Sequence, residues 1–172
     1  MESAEQFVVF SLLNQRYGVP LTTTERVVRM VEIAPLPGAP EFVRGVINVQ
    51  GAIVPVINLR RRFGLPDRAP GPGDQLLITC QGRRKFALHA DRVSDVSVCT
   101  ERMHTDAEAV YPDLPFLAGI SRCPDGLILL LDMEALLSSS DTRLLDRLMT
   151  TEPAQNEITA HKDQQGGTDA AP

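Results

Sequence analysis

Residues Glu41–Arg60 read EFVRGVINVQGAIVPVINLR. Val46-Ile47-Asn48-Val49 is a short apolar run, and Ala52–Leu59 is another. Only Gln50-Gly51 separates them. Two apolar runs joined by a two-residue turn ending in Gly predict a β-hairpin. Glu41–Arg44, just before Gly45, predicts a single helical turn. Pro55 has no N–H to give to a ladder, so its strand is expected at an edge or at a bulge.

The same grammar extends to both sides. Gln6–Leu12 predicts a strand, Leu13–Arg16 a turn, and Tyr17–Leu21 the returning strand, with Pro20 suited to its end. Thr22 and Glu25 have the spacing of a capping box for one short helical turn. Val27–Val31 is β again. Val27 and Val28 are neighbours, so in a strand one faces the core and the other faces out. The sequence leaves open which is which. Prolines 35, 37 and 40 mark a loop, and Pro66–Gly73 reads as a linker.

The second half repeats this pattern. Tyr17-Gly18-Val19 falls on Phe86-Ala87-Leu88. Glu41–Val46 falls on Pro115–Ile120, and Val54–Leu59 falls on Ile128–Met133. Identity is low, so the match rests on apolar placement and glycines. It predicts a mainly β chain of two tandem small barrels, packed together because each is too small for a large core of its own. The first spans about 5–66 and the second about 74–137. A helix is expected at about 140–149, where Leu144, Leu145 and Leu148 share one face, with Asp141 near its start and Arg147 near its end. Residues 151–172 are polar and without apolar period, the composition of a disordered tail.

Composition narrows the function. The formal net charge is −5. Phosphate binding needs a basic face, so a nucleic-acid-binding barrel is a remote alternative. Cys80, Cys99 and Cys123 are widely spaced and make no C-x-x-C, which predicts reduced thiols in strands. The amino terminus lacks the basic and apolar regions of a signal peptide. No apolar run approaches the roughly 20 residues of a membrane span. A cytoplasmic protein without direct membrane insertion is expected.

Catalytic patterns are missing. His89, His104 and His161 are scattered, and none stands at i, i+4 from another metal-ligating residue in a helix. G-x-S-x-G, P-loop and G-x-G-x-x-G motifs are absent. Asp91 and Asp95 are the closest carboxylate pair, and a polar strand start explains them better than a catalytic dyad. No catalytic residue, metal or cofactor is expected, and the chain reads as a binding protein rather than an enzyme.

The segment Glu41–Arg60 resembles the central signature of CheW-like domains: a short turn, then G-V-x-N-[LV]-R/Q-G, an apolar strand with Pro, and D/N-L-R. Phe7–Phe10 with Tyr17-Gly18-Val19 is similar to the family's first hairpin. Asp91 to Val96 resembles its D-x-V-x-x-V stretch, and Leu127–Asp132 its last strand. The likeness covers 5–149. It implies two five-stranded, Src-homology-like barrels side by side. It also implies a non-enzymatic adaptor that binds the cytoplasmic tip of methyl-accepting chemoreceptors and the regulatory domain of the histidine kinase CheA, recruited to membrane-associated receptor arrays. A CheW-like paralogue in a non-flagellar pathway, serving pilus motility or biofilm signalling, is the alternative.

The resemblance also implies a receptor-binding surface at Thr24, Arg26, Val27, Val28, Gln50, Gly51 and Arg60. It assigns no kinase-binding residues. Many members carry Arg where this chain has Gln50, and Gln lacks both the charge and the bidentate fork. Arg61 and Arg62, beside Arg60, are expected at a solvated strand end.

Overall fold

The computed structural model describes residues 5–99, 102–103, 116–123 and 126–150. The expected tail at 151–172 lies outside them. In chain order the elements are β1 (Glu5–Leu12), β2 (Gln15–Pro20), a 3-10 turn at Leu21–Thr23, β3 (Thr24–Arg29), β4 (Val43–Val49), β5 (Ala52–Ile57) and α1 (Leu59–Arg62). There follow β6 (Gln75–Gln81), β7 (Arg84–Ala90), β8 (Arg92–Cys99), β9 (Arg102–Met103), β10 (Leu117–Cys123), β11 (Gly126–Leu131), α2 (Met133–Leu136) and α3 (Ser139–Thr150).

The strands form two mixed sheets, as the mainly β expectation requires. One has six strands in the order β8-β1-β2-β11-β10-β9, the other five in the order β3-β6-β7-β5-β4. Neither is hydrogen-bonded into a closed barrel among the described residues. The sheets also interleave the two halves of the chain, which corrects a division into barrels at 5–66 and 74–137. Hairpin β1–β2 belongs with β8 to β11, and hairpin β6–β7 belongs with β3 to β5.

The internal repeat is nevertheless visible in the hydrogen bonds. Val43–Gly45 of β4 and Leu117–Gly119 of β10 each carry a register shift against their hairpin partner. The Asn58 N–H donates to the Phe42 carbonyl at 2.6 Å, and the Asp132 N–H to the Phe116 carbonyl at 2.8 Å. Strand β5 lies parallel to β7, with Val56 opposite Ala87, and β11 lies parallel to β2, with Leu130 opposite Gly18. Each half lends its first hairpin to the other half's sheet.

This exchange explains why the strands are apolar on both faces. Along β1, Val8, Phe10 and Leu12 enter the large cluster between the sheets, whereas Phe7 and Val9 pack with Ile128 and Leu130 on the other face. Along β6, Leu77 enters the shared cluster, and Leu76 and Ile78 pack with Val54 and Val56. Burying one such Leu or Ile contributes about 2 kcal/mol. Phe10, Tyr17, Phe63 and Phe116 stack in series through the shared core, with ring centroids 4.6–5.7 Å apart.

Several local expectations need revision. The 3-10 turn has no side-chain cap from Thr22 or Glu25; instead the Thr23 and Thr24 hydroxyls donate to the Pro20 carbonyl at 2.8 and 3.2 Å. Glu41-Phe42 is a turn rather than a helical one. Pro55 stands opposite Val46 in a strand that has neighbours on both sides, but the pairing with β7 begins only at Val56. Its missing N–H therefore falls where β5 is still a local edge. Arg60, Arg61 and Arg62 form the helix α1, capped by the Asn58 side chain, not a strand end. Gly45 is fixed by space: at φ +149° a Cβ there would sit 2.1 Å from the Ala34 carbonyl oxygen, which already accepts the Val46 N–H.

Candidate interaction surface

Strand β3 ends the five-stranded sheet, and its accessibility alternates residue by residue. Val27 points outward and is 40% exposed, whereas Val28 packs against the inner apolar cluster. The open question of the valine pair is thus settled by register: Val28 pairs with Leu76 and Val27 with Leu77 on β6. Thr24 and Arg26 are half-buried. Arg26 lies 3.8 Å from Glu25, whose carboxylate is engaged more closely by Lys85 at 3.0 Å. That hydrogen bond holds Glu25 below its ordinary pKa.

Gln50 and Gly51 form the tip between β4 and β5 with φ of +52° and +86°. Two left-handed residues give the turn whose twist suits a tight hairpin. Asn48 fastens it by accepting the Gly51 N–H at 2.8 Å. Val49, next to this tip, packs on the same inner cluster as Val28. Thr24, Arg26, Val27, Val28, Gln50 and Gly51 therefore belong to one end of the five-stranded sheet.

Arg60 does not belong to that surface. It is 4% exposed, and both oxygens of Asp91 accept from its guanidinium at 2.7 and 2.8 Å. A charge sealed in this way is structural, and its recognition role is withdrawn.

The salt bridge is one end of a network that sequence reasoning missed. Arg68 bridges Asp74 at 2.7 and 2.8 Å and Asp91 at 2.9 Å. Asp74 also meets His89 Nε2 at 2.7 Å and accepts the Gly71 N–H. Arg44 donates to His89 Nδ1 at 2.9 Å and to Asp67 at 2.7 Å, and Asp67 accepts from Asn58 and Arg61 as well. The donors overcome burial and hold Asp67, Asp74 and Asp91 below the usual carboxylate range. Burial pushes His89 below its ordinary value, against the pull of Asp74. Nothing in a linear reading joins residues 44, 60, 67, 74, 89 and 91, because the network is assembled by the linker and the crossover between sheets.

A second exposed apolar strip lies on the six-stranded sheet. Strand β8 is its end strand, and Val96 and Val98 are 48% and 49% exposed. Leu13, 46% exposed, sits in the β1–β2 turn at φ +48°, an unusual conformation for leucine. Its N–H donates to Asp91 at 3.1 Å. Among the described residues no group of His, Cys, Asp and Glu is arranged to hold a metal ion, and no helix is long and apolar enough to cross a membrane.

Two sheets built from exchanged hairpins are matched by a family model. The CheW-like domain model matches residues 6–141. The chain belongs to the CheW-like domain family. Among CheW relatives, the chemotaxis protein CheW of Klebsiella aerogenes is 29% identical over 146 residues, covering 84% of this chain and 88% of the relative. The chemotaxis protein CheW of Treponema pallidum is 28% identical over 149 residues, covering 83% and 88%. The crystal structure of the scaffolding protein TtCheW from Thermoanaerobacter tengcongensis superposes with a TM-score of 0.71 at 29% identity, covering 82% of this chain and 92% of that one. The CheW-like signature at Glu41–Arg60 thus contains one hairpin tip open to a partner and one arginine closed to it.

Proposed function

We propose that this chain is a non-enzymatic adaptor of chemotaxis-type signalling. It couples the cytoplasmic tip of chemoreceptors to the regulatory domain of the histidine kinase CheA, at membrane-associated receptor arrays. The observation that carries this is the pair of exposed apolar strips on end strands of different sheets: Val27 on β3, and Val96 and Val98 on β8. End strands offer unpaired backbone and flat apolar surface to a partner. Two of them on one rigid body let two partners be held at a fixed spacing. The relatives named as chemotaxis and scaffolding proteins support the same conclusion.

The receptor contact is assigned to Thr24, Arg26, Val27, Gln50 and Gly51, with Val28 supporting them from inside. Each interface would bury roughly 1,000–1,600 Å² in total, the size of reversible contacts. The mechanism is mechanical coupling: a shift in one partner biases the other through the shared core.

The test is titration of the full chain with a receptor-tip fragment and with the CheA regulatory domain, singly and together. Simultaneous binding of both is expected. Val27→Glu should weaken receptor binding at least tenfold while leaving the circular dichroism spectrum unchanged. A well-folded protein that binds neither partner would overturn the adaptor assignment. Undiminished receptor affinity in Val27→Glu would overturn the β3 site alone.

A further inference from the structure

His89 is 3% exposed and fixed in one tautomer by its neighbours. The Arg44 guanidinium donates to Nδ1 at 2.9 Å, so Nδ1 carries no proton and the ring is neutral, with Nε2–H directed at Asp74. The charged groups facing it are Arg44 from β4, Asp74 from the segment before β6, and Arg68 from the linker after α1. Its cross-strand neighbour on β6 is the apolar Leu76. A proton on Nδ1 would point at an N–H of a guanidinium inside the protein, where water screens neither charge.

That contact is the head of a chain of bonds. Asp74 is shared between His89 and Arg68, and Arg68 is shared between Asp74 and Asp91. Asp91 lies between β7 of one sheet and β8 of the other, and it holds Arg60 and the Leu13 N–H. Leu13 is the positive-φ residue at the exposed tip of β1–β2. An imidazolium would repel Arg44, draw Asp74 toward itself and unbalance the position of Arg68. The change would arrive at the Leu13 turn through Asp91.

We propose that His89 is a buried proton sensor whose protonation loosens the Asp74–Arg68–Asp91 clasp and shifts the Leu13 turn across the junction between the sheets. The device is internal to the chain and does not depend on which partner binds the exposed strips. It places the responsive surface on the six-stranded sheet rather than at Val27 or Gln50.

The experiment is NMR on the full chain from pH 7.5 downward, following the His89 imidazole and the backbone amides of Leu13, Asp91 and Gln50. Expected is one shared midpoint for His89, Leu13 and Asp91, below the ordinary histidine value of 6.5, with Gln50 unmoved through it. His89→Gln keeps an amide donor for Asp74 and an oxygen acceptor for Arg44, and should abolish the transition at Leu13 and Asp91. Arg44→Gln removes the repelling charge and should raise the midpoint in a protein that retains His89. Amides of Leu13 and Asp91 that ignore the His89 titration would overturn the proposal. So would the same transition persisting in His89→Gln, or a midpoint that Arg44→Gln leaves in place.

Discussion

The strand-to-helix junctions at Asn58 and Asp132 share a backbone but not a chemistry. Both follow a hairpin with the same register shift, both begin with an N–H donated to a phenylalanine carbonyl, and both open a one-turn helix under a side-chain cap. After Asn58 the helix is Leu-Arg-Arg-Arg, and its buried Arg60 is closed by Asp91. After Asp132 it is Met-Glu-Ala-Leu, and Met133 and Leu136 enter the core. The two meet at Arg62, which donates to the Leu136 carbonyl at 2.9 Å and covers the Phe42 ring. One junction is held by charge and the other by packing, so the same scaffold should answer differently to pH at its two ends.

The largest effect should come from breaking the charged junction. Arg60→Leu leaves Asp91 at the inter-sheet crossover with only part of its donors, and breaking such a buried pair costs about 3 kcal/mol, read as a lower urea midpoint at pH 7. Asp91 titrates below its ordinary 3.8 in the fold. The pair's contribution is therefore complete above that value and is lost as pH falls below it, so the cost of Arg60→Leu should shrink in acid. An unchanged cost at low pH would show that Arg60 acts by packing.

Leu136→Ala, at the apolar junction, should cost about 2–4 kcal/mol, since the side chain is fully buried. This loss should be the same at neutral pH and in acid. Dependence on pH there would erase the contrast between the junctions.

The caps give the smallest difference. Asp132→Ala removes the acceptor for the Glu134 and Ala135 N–H groups and should cost about 1 kcal/mol. Asn58→Ala removes the acceptor for the Arg61 N–H and also the donor to Asp67, so it should cost more, by about 0.5–1 kcal/mol. Equal losses in thermal unfolding would mean that Asp67 is satisfied by its arginines alone.

Much of the architecture was readable along the chain. The Gln50-Gly51 turn follows from two apolar runs and a residue pair that tolerates positive φ. The last helix follows from Leu144, Leu145 and Leu148, and it is sealed at its start by the reciprocal bonds of Ser138 and Asp141. The candidate surface was only partly readable. Val27 and Val28 were a pair without an orientation until the register on β6 set it, and Arg60 carried a signature position without its burial. Leu13, Val96 and Val98 looked like core valines and leucine until the sheet order put β8 at an end.

The sequence alone determined the elements: alternating or doubly apolar strands, turns where Gly and Pro demand them, and a repeat of apolar placement between halves. These are local, because a strand's period and a turn's φ depend on adjacent residues. Only the tertiary structure decided which strands pair, which hairpin crosses to the other half, and which charges close on one another. Both hairpins carry the same apolar pattern, so pattern cannot choose between sheets. The charges of Arg44, Arg60, Asp67, Asp74, His89 and Asp91 acquire meaning only at the 2.7–3.1 Å separations that the crossover and the linker impose.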